Sequence, residues 1–265
     1  MILMISRCGT PHQPEQHGYQ GRDESEQGLW HEGSVPHLRA DVIHVLPHDP
    51  SLFTQGLEID SGTLYESTGK RGESVLRAKS LTTGRESARV RLPERFFGEG
   101  ITLTDDRVWQ LTWKSGTAML RDSDDLGEIR RVDYRGEGWG LCSFADRLVM
   151  SDGTDELTFR DPESFAERGS VSVRLGDEPV TELNELECVD GSVWANVWRT
   201  DTIVRIDPDT GRVTAVVDAS GLLNSEQAEG AGVLNGIAAT EEPGRFLLTG
   251  KNWPKMFRVR FVPVE

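Results

Sequence analysis

Five segments of this chain repeat one pattern, and that repeat restricts the fold more than any other feature. Each opens on a polar residue or Trp, followed by Gly or Glu and then Leu or Ile. After a short spacer comes a β-rich run. The segments read Gln55-Gly56-Leu57 before LYESTG (64–69), Glu99-Gly100-Ile101 before VWQLTW (108–113) and Trp139-Gly140-Leu141 before LVMSDG (148–153). The last two are Asn184-Glu185-Leu186 before VWANVW (193–198) and Asn235-Gly236-Ile237 before RFLLTGK (245–251). The Leu/Ile anchors at 57, 101, 141, 186 and 237 are separated by steps of 44, 40, 45 and 51 residues. A period of roughly 40–50 residues built of short strands predicts a β-propeller, with one four-stranded sheet per blade. The expected fold is therefore all-β, a five-bladed propeller. Such a ring sets equivalent positions around one axis, so the polar residues before each Gly are expected to converge.

The repeat occupies most of the 265 residues, which predicts one closed domain over 39–265. Residues 1–38 are polar, rich in Gln, His, Glu and Gly, and without periodicity. They read as a leader or a flexible arm packed loosely through Trp30. The first ordered strand is expected at Asp41-Val42-Ile43-His44-Val45-Leu46 and the last at Met256–Val262. Pairing that first strand with the last blade would close the ring and remove its free edges. SLTTG (80–84), DPESF (161–165) and DPDTG (207–211) read as tight turns between outer strands. SGLLNSEQAEGAGV (220–233) interrupts the pattern and is expected to hold a short helix and loop.

A net charge of −15 argues against nucleic acid and suits a cationic ligand or a peptide amine. No apolar stretch reaches membrane-spanning length. MILMISRCGT has a very short apolar run followed by its nearest cation, unlike a secretory signal, so the sequence as written reads as cytoplasmic. Cys8, Cys142 and Cys188 lack metal-ligand spacing. Cys142 and Cys188 follow repeat anchors and are expected as small buried hydrophobes, with a disulfide between them left open.

All six histidines lie within the first 48 residues, which argues against a His-based zinc site at the convergent end and weakens a Ser-His-Asp reading. His48, in Pro47-His48-Asp49-Pro50, is expected as a turn residue. The repeats instead supply carboxylates, amides and indoles: Gln55, Glu99, Glu137, Asn184, Asn235, Trp113, Trp139, Trp198 and the closing Lys251. Taken singly, a polar residue before Gly usually bonds exposed backbone at a channel mouth, and a strand-end Trp usually packs between blades. Taken together, an acid among aromatic rings has a raised pKa and exchanges protons near neutrality.

At these residues the chain closely resembles the plant-type glutaminyl cyclases, or glutamine cyclotransferases, which have bacterial members. The matching strings are PHDPSLFTQGLE (47–58), LYESTG, FGEGI (97–101), QLTW (110–113), GEGWGL (136–141), SDGT (151–154), LNELE (183–187), WANVW (194–198), IVRIDP (203–208), VLNGIA (233–238) and TGKNWP (249–254). They run in order over about residues 42–261. The resemblance implies a five-bladed propeller that converts an N-terminal glutaminyl residue of a peptide to pyroglutamyl and releases ammonia. It implies Glu99 as the proton-transfer carboxylate, a pocket lined by Phe53, Gln55, Phe97, Trp113 and Trp139, and completion by Asn184, Trp198 and Lys251. It further implies a structural metal ion, calcium or zinc, in the channel, with ligands the sequence does not place. No organic cofactor is needed. The implied partners are peptides or proteins beginning with Gln, not nucleic acid or membrane, and the protein would act as a monomer. Plant members are exported, against the cytoplasmic reading.

In this reaction the α-amine, with a pKa of about 7.7–8.0, attacks the carboxamide of its own residue. Glu99 would carry the proton from amine to leaving nitrogen. Gln55, Asn184 or Lys251 would donate to the oxyanion, at ~3 kcal/mol for a well-placed donor. Two other readings are a metal-dependent propeller lactonase or esterase, using Glu58, Glu99, Asn184 and Asn235, and a non-catalytic peptide-binding propeller.

Overall fold

Why the repeat units form sheets is visible in their burial. Each begins with a short run buried on both faces; the first three end in an exposed strand, as expected for a meander running outward from a crowded centre, whereas the fourth ends in the mostly buried strand Val213–Asp218. The computed structural model describes residues 35–264, and among these there are twenty-two strands and no helix. The first strand, β1, spans His37–Pro47. The first unit is β2 (Thr54–Asp60), β3 (Thr63–Thr68), β4 (Val75–Ser80) and β5 (Glu86–Arg91). The second is β6 (Gly98–Thr104), β7 (Arg107–Thr112), β8 (Thr117–Asp122) and β9 (Glu128–Asp133). The third is β10 (Leu141–Ser143), β11 (Leu148–Ser151), β12 (Glu156–Arg160) and β13 (Glu167–Ser172). A small hairpin, β14 (Arg174–Leu175) and β15 (Glu178–Pro179), leads to the fourth: β16 (Leu183–Val189), β17 (Ser192–Val197), β18 (Thr202–Ile206) and β19 (Val213–Asp218). The last strands are β20 (Leu234–Ala239), β21 (Arg245–Gly250) and β22 (Lys255–Pro263).

Units one to three are separate four-stranded sheets. The remaining strands form one eight-stranded sheet in the order β16-β17-β18-β19-β1-β22-β21-β20. Within it β1 lies antiparallel to β22, from Leu38 opposite Pro263 to Pro47 opposite Lys255. Through His37–Arg39 it also runs parallel to Val216–Asp218 of β19. The chain's first strand thus completes the last meander, which is the closure the alternation predicts. β1 begins at His37, four residues ahead of the Asp41 start read from the sequence. Val35 packs on the core and the Pro36 carbonyl accepts Val216 N–H, while residues 1–34 of the expected arm, with Trp30, lie outside the described residues.

The core is a series of wedges between sheets. Tyr65 and Leu76 meet Ile101 and Val108; Trp109 and Leu111 meet Leu141 and Phe165; Cys142 and Val149 meet Leu183 and Val193. Trp194 and Ile203 then meet Phe246 and Leu248, and Leu247 and Met256 return to Leu57 and Leu64. Every wedge joins consecutive units, and the last joins the end of the chain to its beginning, a propeller-like arrangement.

The repeated triplets are breaks in register. The innermost strand pairs shift between Thr54 and Gly56, Gly98 and Ile101, Leu183 and Leu186, and Leu234 and Ile237. A bulge re-aims a side chain and frees backbone groups from the ladder. The freed groups here stitch one unit to another. Gly100 N–H donates to the Trp139 carbonyl at 2.7 Å. Ser151 Oγ donates to the Asn184 carbonyl at 2.6 Å. A Cβ on Gly140 would stand 2.0 Å from that same carbonyl oxygen, so only glycine permits the approach. In the fourth unit Glu185 takes the glycine's place. Its two oxygens accept Leu57 N–H at 3.0 Å and Ile237 N–H at 2.8 Å, tying three units together.

Three local expectations change. Cys142 and Cys188 are not free thiols but a disulfide joining β10 to β16. His48 is not a solvated turn residue: it is buried, with Nδ1 2.6 Å from the Trp253 carbonyl and Nε2 2.8 Å from Glu66 Oε1. Glu66 also accepts from Thr54 Oγ1 and from Arg77, and these partners hold its carboxyl down at about 2 despite burial. The stretch 220–233 forms turns, not a helix. Asn224 and Gln227 make reciprocal cap-like bonds, but Gly221, Gly230 and Gly232 flank too few residues to propagate a helical nucleus. The three sequence-read turns occur, with Gly84, Phe165 and Gly211 N–H returning to Ser80, Asp161 and Asp207 carbonyls. A fourth runs from Leu126 N–H to the Asp122 carbonyl, with Gly127 next in the chain.

Candidate active site

The last residue of each β-rich run supplies the site's alternating space and bulk. These positions are Gly69, Trp113, Gly153, Trp198 and Lys251. A Cβ on Gly69 would lie 2.3 Å from the Phe97 ring and 3.1 Å from Phe53. One on Gly153 would lie 2.7 Å from the Trp139 ring. The two small positions therefore make room for aromatic side chains that arrive from the preceding loops and bulges.

The rings form a circuit around the sheet ends. Phe53 meets Phe97 edge-on at 6.2 Å, and Phe97 meets Trp113 at 5.6 Å. On the other side Trp139 meets Trp198 edge-on at 5.4 Å. Two charged residues of opposite sign join the halves. Lys251 Nζ lies 5.0 Å from the centre of Phe53 and 6.0 Å from that of Trp198. Glu137 Oε2 accepts both indole N–H groups, from Trp113 at 2.6 Å and from Trp139 at 3.0 Å. All five rings are half-buried, so each keeps part of its surface toward solvent.

Polar side chains beneath the circuit are buried. Glu99, Gln55, Asn184 and Lys251 are each no more than 6% exposed. Glu99 accepts a hydrogen bond from the Gln55 amide. Gln55 is held in turn: Asn235 Nδ2 donates to Gln55 Oε1 at 3.3 Å and to the Thr54 carbonyl at 3.1 Å. Burial pushes the Glu99 carboxyl well above the usual carboxylate range. The Lys251 ammonium and the Gln55 bond pull it back, and the Glu137 charge pushes it further up. Burial brings Lys251 down to about 8, against the attraction of Glu99. Asn184 Oδ1 is a buried acceptor without a hydrogen-bond partner.

The structure thus brings together Glu99, Gln55 and Lys251 with Phe53, Phe97, Trp113, Trp139 and Trp198, and sets Asn184 in the neighbouring bulge. Sequence reading left Glu137 without a role. Its signal is its place two residues before Trp139 in GEGWG. Glu58 belongs elsewhere: it accepts from Thr102 Oγ1 at 3.1 Å, and Glu187 feels its charge. That separates it from Glu99 and breaks up the ligand set imagined for a lactonase.

The channel metal expected from the resemblance finds no complete set of side-chain donors. Among the described residues no three His, Cys, Asp or Glu side chains gather as a metal group. The bridged Cys142 and Cys188 offer no thiolate for zinc. Asn184 Oδ1 and Asn235 Oδ1 are unpartnered hard oxygens, short of the roughly 6–8 that calcium takes.

Comparison with known proteins identifies relatives of this chain. The family profile described as glutamine cyclotransferase matches residues 19–261. A glutaminyl-peptide cyclotransferase of Arabidopsis thaliana is 38% identical over 226 residues, covering 83% of this chain and 70% of that protein. The crystal structure of Myxococcus xanthus glutaminyl cyclase superposes with a TM-score of 0.79 at 39% identity, covering 88% of this chain and all of the other. The WD40 repeats of RRP9, at 9% identity and a TM-score of 0.53 over 84% of this chain and all of theirs, share the fold alone. With its profile matched across most of its length and close relatives in both comparisons, the chain belongs to the glutamine cyclotransferase family.

Proposed function

We propose that the chain is a five-bladed β-propeller whose 39–265 domain cyclises N-terminal glutaminyl residues of peptides to pyroglutamyl, releasing ammonia. The five wedges, running from unit to unit and back to the first, support the blade count. One observation carries the functional reading: a buried carboxyl of raised pKa, Glu99, lies under a circuit of five half-buried aromatic rings, with a lysine ammonium beside it.

The rings hold the glutamine side chain folded toward its own α-amine, which makes the attack intramolecular. The amine nitrogen bonds to the carboxamide carbon, and the carbonyl oxygen takes up negative charge. Lys251 is the donor for that oxyanion, since its ammonium is a full charge in a desolvated place. Glu99 receives the proton released by the attacking amine and returns it to the departing nitrogen. The carbon–nitrogen bond then breaks and ammonia leaves. Gln55, fixed by Asn235, aims the carboxyl. Asn184 Oδ1, buried and unpartnered, accepts from an N–H of the carboxamide. No step uses a metal ion. The Cys142–Cys188 bridge favours an oxidising compartment over the cytoplasmic reading.

The test is incubation with a short Gln-initiated peptide, following loss of one ammonia by mass spectrometry, beside an Asn-initiated control. Loss from the first and not the second is expected. An unchanged Gln-peptide would leave a binding propeller.

A further inference from the structure

Trp113 ends the second β-rich run, and Trp139 belongs to the third repeat triplet. Among the described residues no ring-to-ring contact joins their two aromatic sets: Phe97 abuts Trp113, and Trp198 abuts Trp139. What spans the gap is one atom. Glu137 Oε2 accepts the Trp113 indole N–H at 2.6 Å and the Trp139 indole N–H at 3.0 Å. A charged acceptor with two donors converging on one oxygen makes short, strong and directional bonds. The other oxygen, Oε1, pairs with Lys114 Nζ at 3.3 Å, and that ammonium lies 4.3 Å from the centre of the Trp113 ring. Glu137 therefore has every acceptor oxygen engaged at the rim.

The surroundings favour a role in the site over one in stability. The Glu137 side chain is 36% exposed, and Lys114 is 53% exposed. Exposed ion pairs contribute little to folding. Both indoles are half-buried: Trp113 contacts Phe97 and the Lys114 ammonium, and Trp139 contacts Trp198 and lies against Gly153. Gly138 N–H donates to the Trp113 carbonyl at 3.1 Å and joins the two backbones, while the shared oxygen links the indole rings themselves.

We propose that Glu137 is a positioning residue for cyclisation: by accepting both indole N–H groups on one oxygen, it fixes the distance between the two aromatic walls that fold the glutamine side chain. The proposal rests on the cyclisation reading above. Glu137 does not touch the reacting atoms; its hydrogen bonds are with Trp113 and Trp139, and its charge is felt at Glu99.

Because both N–H groups use the same oxygen, the two obvious variants separate geometry from charge. Glu137→Gln keeps a carbonyl oxygen able to accept both bonds and removes the charge. Glu137→Ala removes the acceptor. With a Gln-initiated peptide, Glu137→Ala is expected to raise KM about tenfold and lower kcat, with an unchanged melting temperature. Glu137→Gln is expected to recover most of that loss. Tryptophan emission, recorded without substrate, should shift in Glu137→Ala and stay near wild type in Glu137→Gln, since only the first frees the indoles. Wild-type kinetics in Glu137→Ala, equal impairment of both variants, or a lowered melting temperature that accounts for the loss would each overturn the proposal. If the wild-type protein does not release ammonia, the cyclisation reading falls by itself. The emission comparison then still decides whether Glu137 holds the two rings, and an unshifted Glu137→Ala spectrum sinks that claim.

Discussion

Glu99 and Glu185 are both buried glutamates in repeat triplets, and burial pushes both carboxyls well above their ordinary range. They differ in what faces them. Glu185 is spent on backbone: its two oxygens accept the N–H groups of Leu57 and Ile237, donors that have no other place to go. Glu99 meets side chains, the Gln55 amide and the Lys251 ammonium, at the foot of a rim open to solvent. A carboxyl locked to peptide groups is a structural cross-link. A carboxyl facing side chains is not tied to the backbone ladder and has the freedom that the proposed proton transfer requires. Residue type and burial do not separate the two roles; the partners do.

The comparison breaks most readily at Glu99. Glu99→Gln should lower kcat/KM by about 10³-fold, within the span of general acid–base catalysis, with the melting temperature unchanged or raised. Near-normal ammonia release would remove Glu99 from the chemistry. A stability contrast comes from the bridge beside the Glu185 strand. Replacing Cys142 and Cys188 together by Ala should cost about 4 kcal/mol by loop-closure entropy, measured by denaturant unfolding, with kcat kept in the folded fraction. A smaller change is expected for Glu185→Gln, which turns an amide N–H toward a backbone N–H. It should cost about 1–3 kcal/mol of stability with little change in kcat, the inverse of the Glu99 variant.

The smallest effect is on pH dependence. Glu58, pushed up to about 7 by desolvation, and Glu99, Glu185 and Glu187, also raised well above the ordinary carboxylate range by burial, bind more protons folded than unfolded above about pH 4.5. Stability should therefore fall as pH rises from about 4.5 through 7. Glu66 acts oppositely: with a folded value of about 2, its contribution is present above 4.5 and is lost as pH falls toward 2. Melting curves should peak at mildly acidic pH. A flat profile from pH 5 to 7.5 would mean that the buried carboxyls are charged and compensated.

Much of the site was legible before the fold. Gln55, Glu99, Asn184, Trp113, Trp139, Trp198 and Lys251 stand at repeat positions, and a ring of repeats carries equivalent positions to one end. Phe53 and Phe97 were read from the family strings, and Gly69 and Gly153 show why they fit, since each leaves the space a ring occupies. The misses were of a different kind. His48 looked like a turn residue because its neighbours are Pro and Asp, but its partners, Glu66 and Trp253, lie in the first and last units. Glu137 shares an oxygen between two units. The turns at Leu126 and Phe165 each hold a buried non-glycine side chain at positive φ, 61° and 63°, which the sequence does not mark.

By itself the sequence determined the unit, its repetition, its glycine-marked close approaches and the residue types gathered at one end, because these depend on short-range pattern and period. Tertiary structure alone decided which of those residues is committed and which is free. Glu185 and Leu57 are 128 positions apart, and Asn235 and Gln55 are 180 apart. Such pairings have no period to read. They are set by where closing the sheets leaves an unpaired donor, and a buried carboxyl turns to whatever donor stands there.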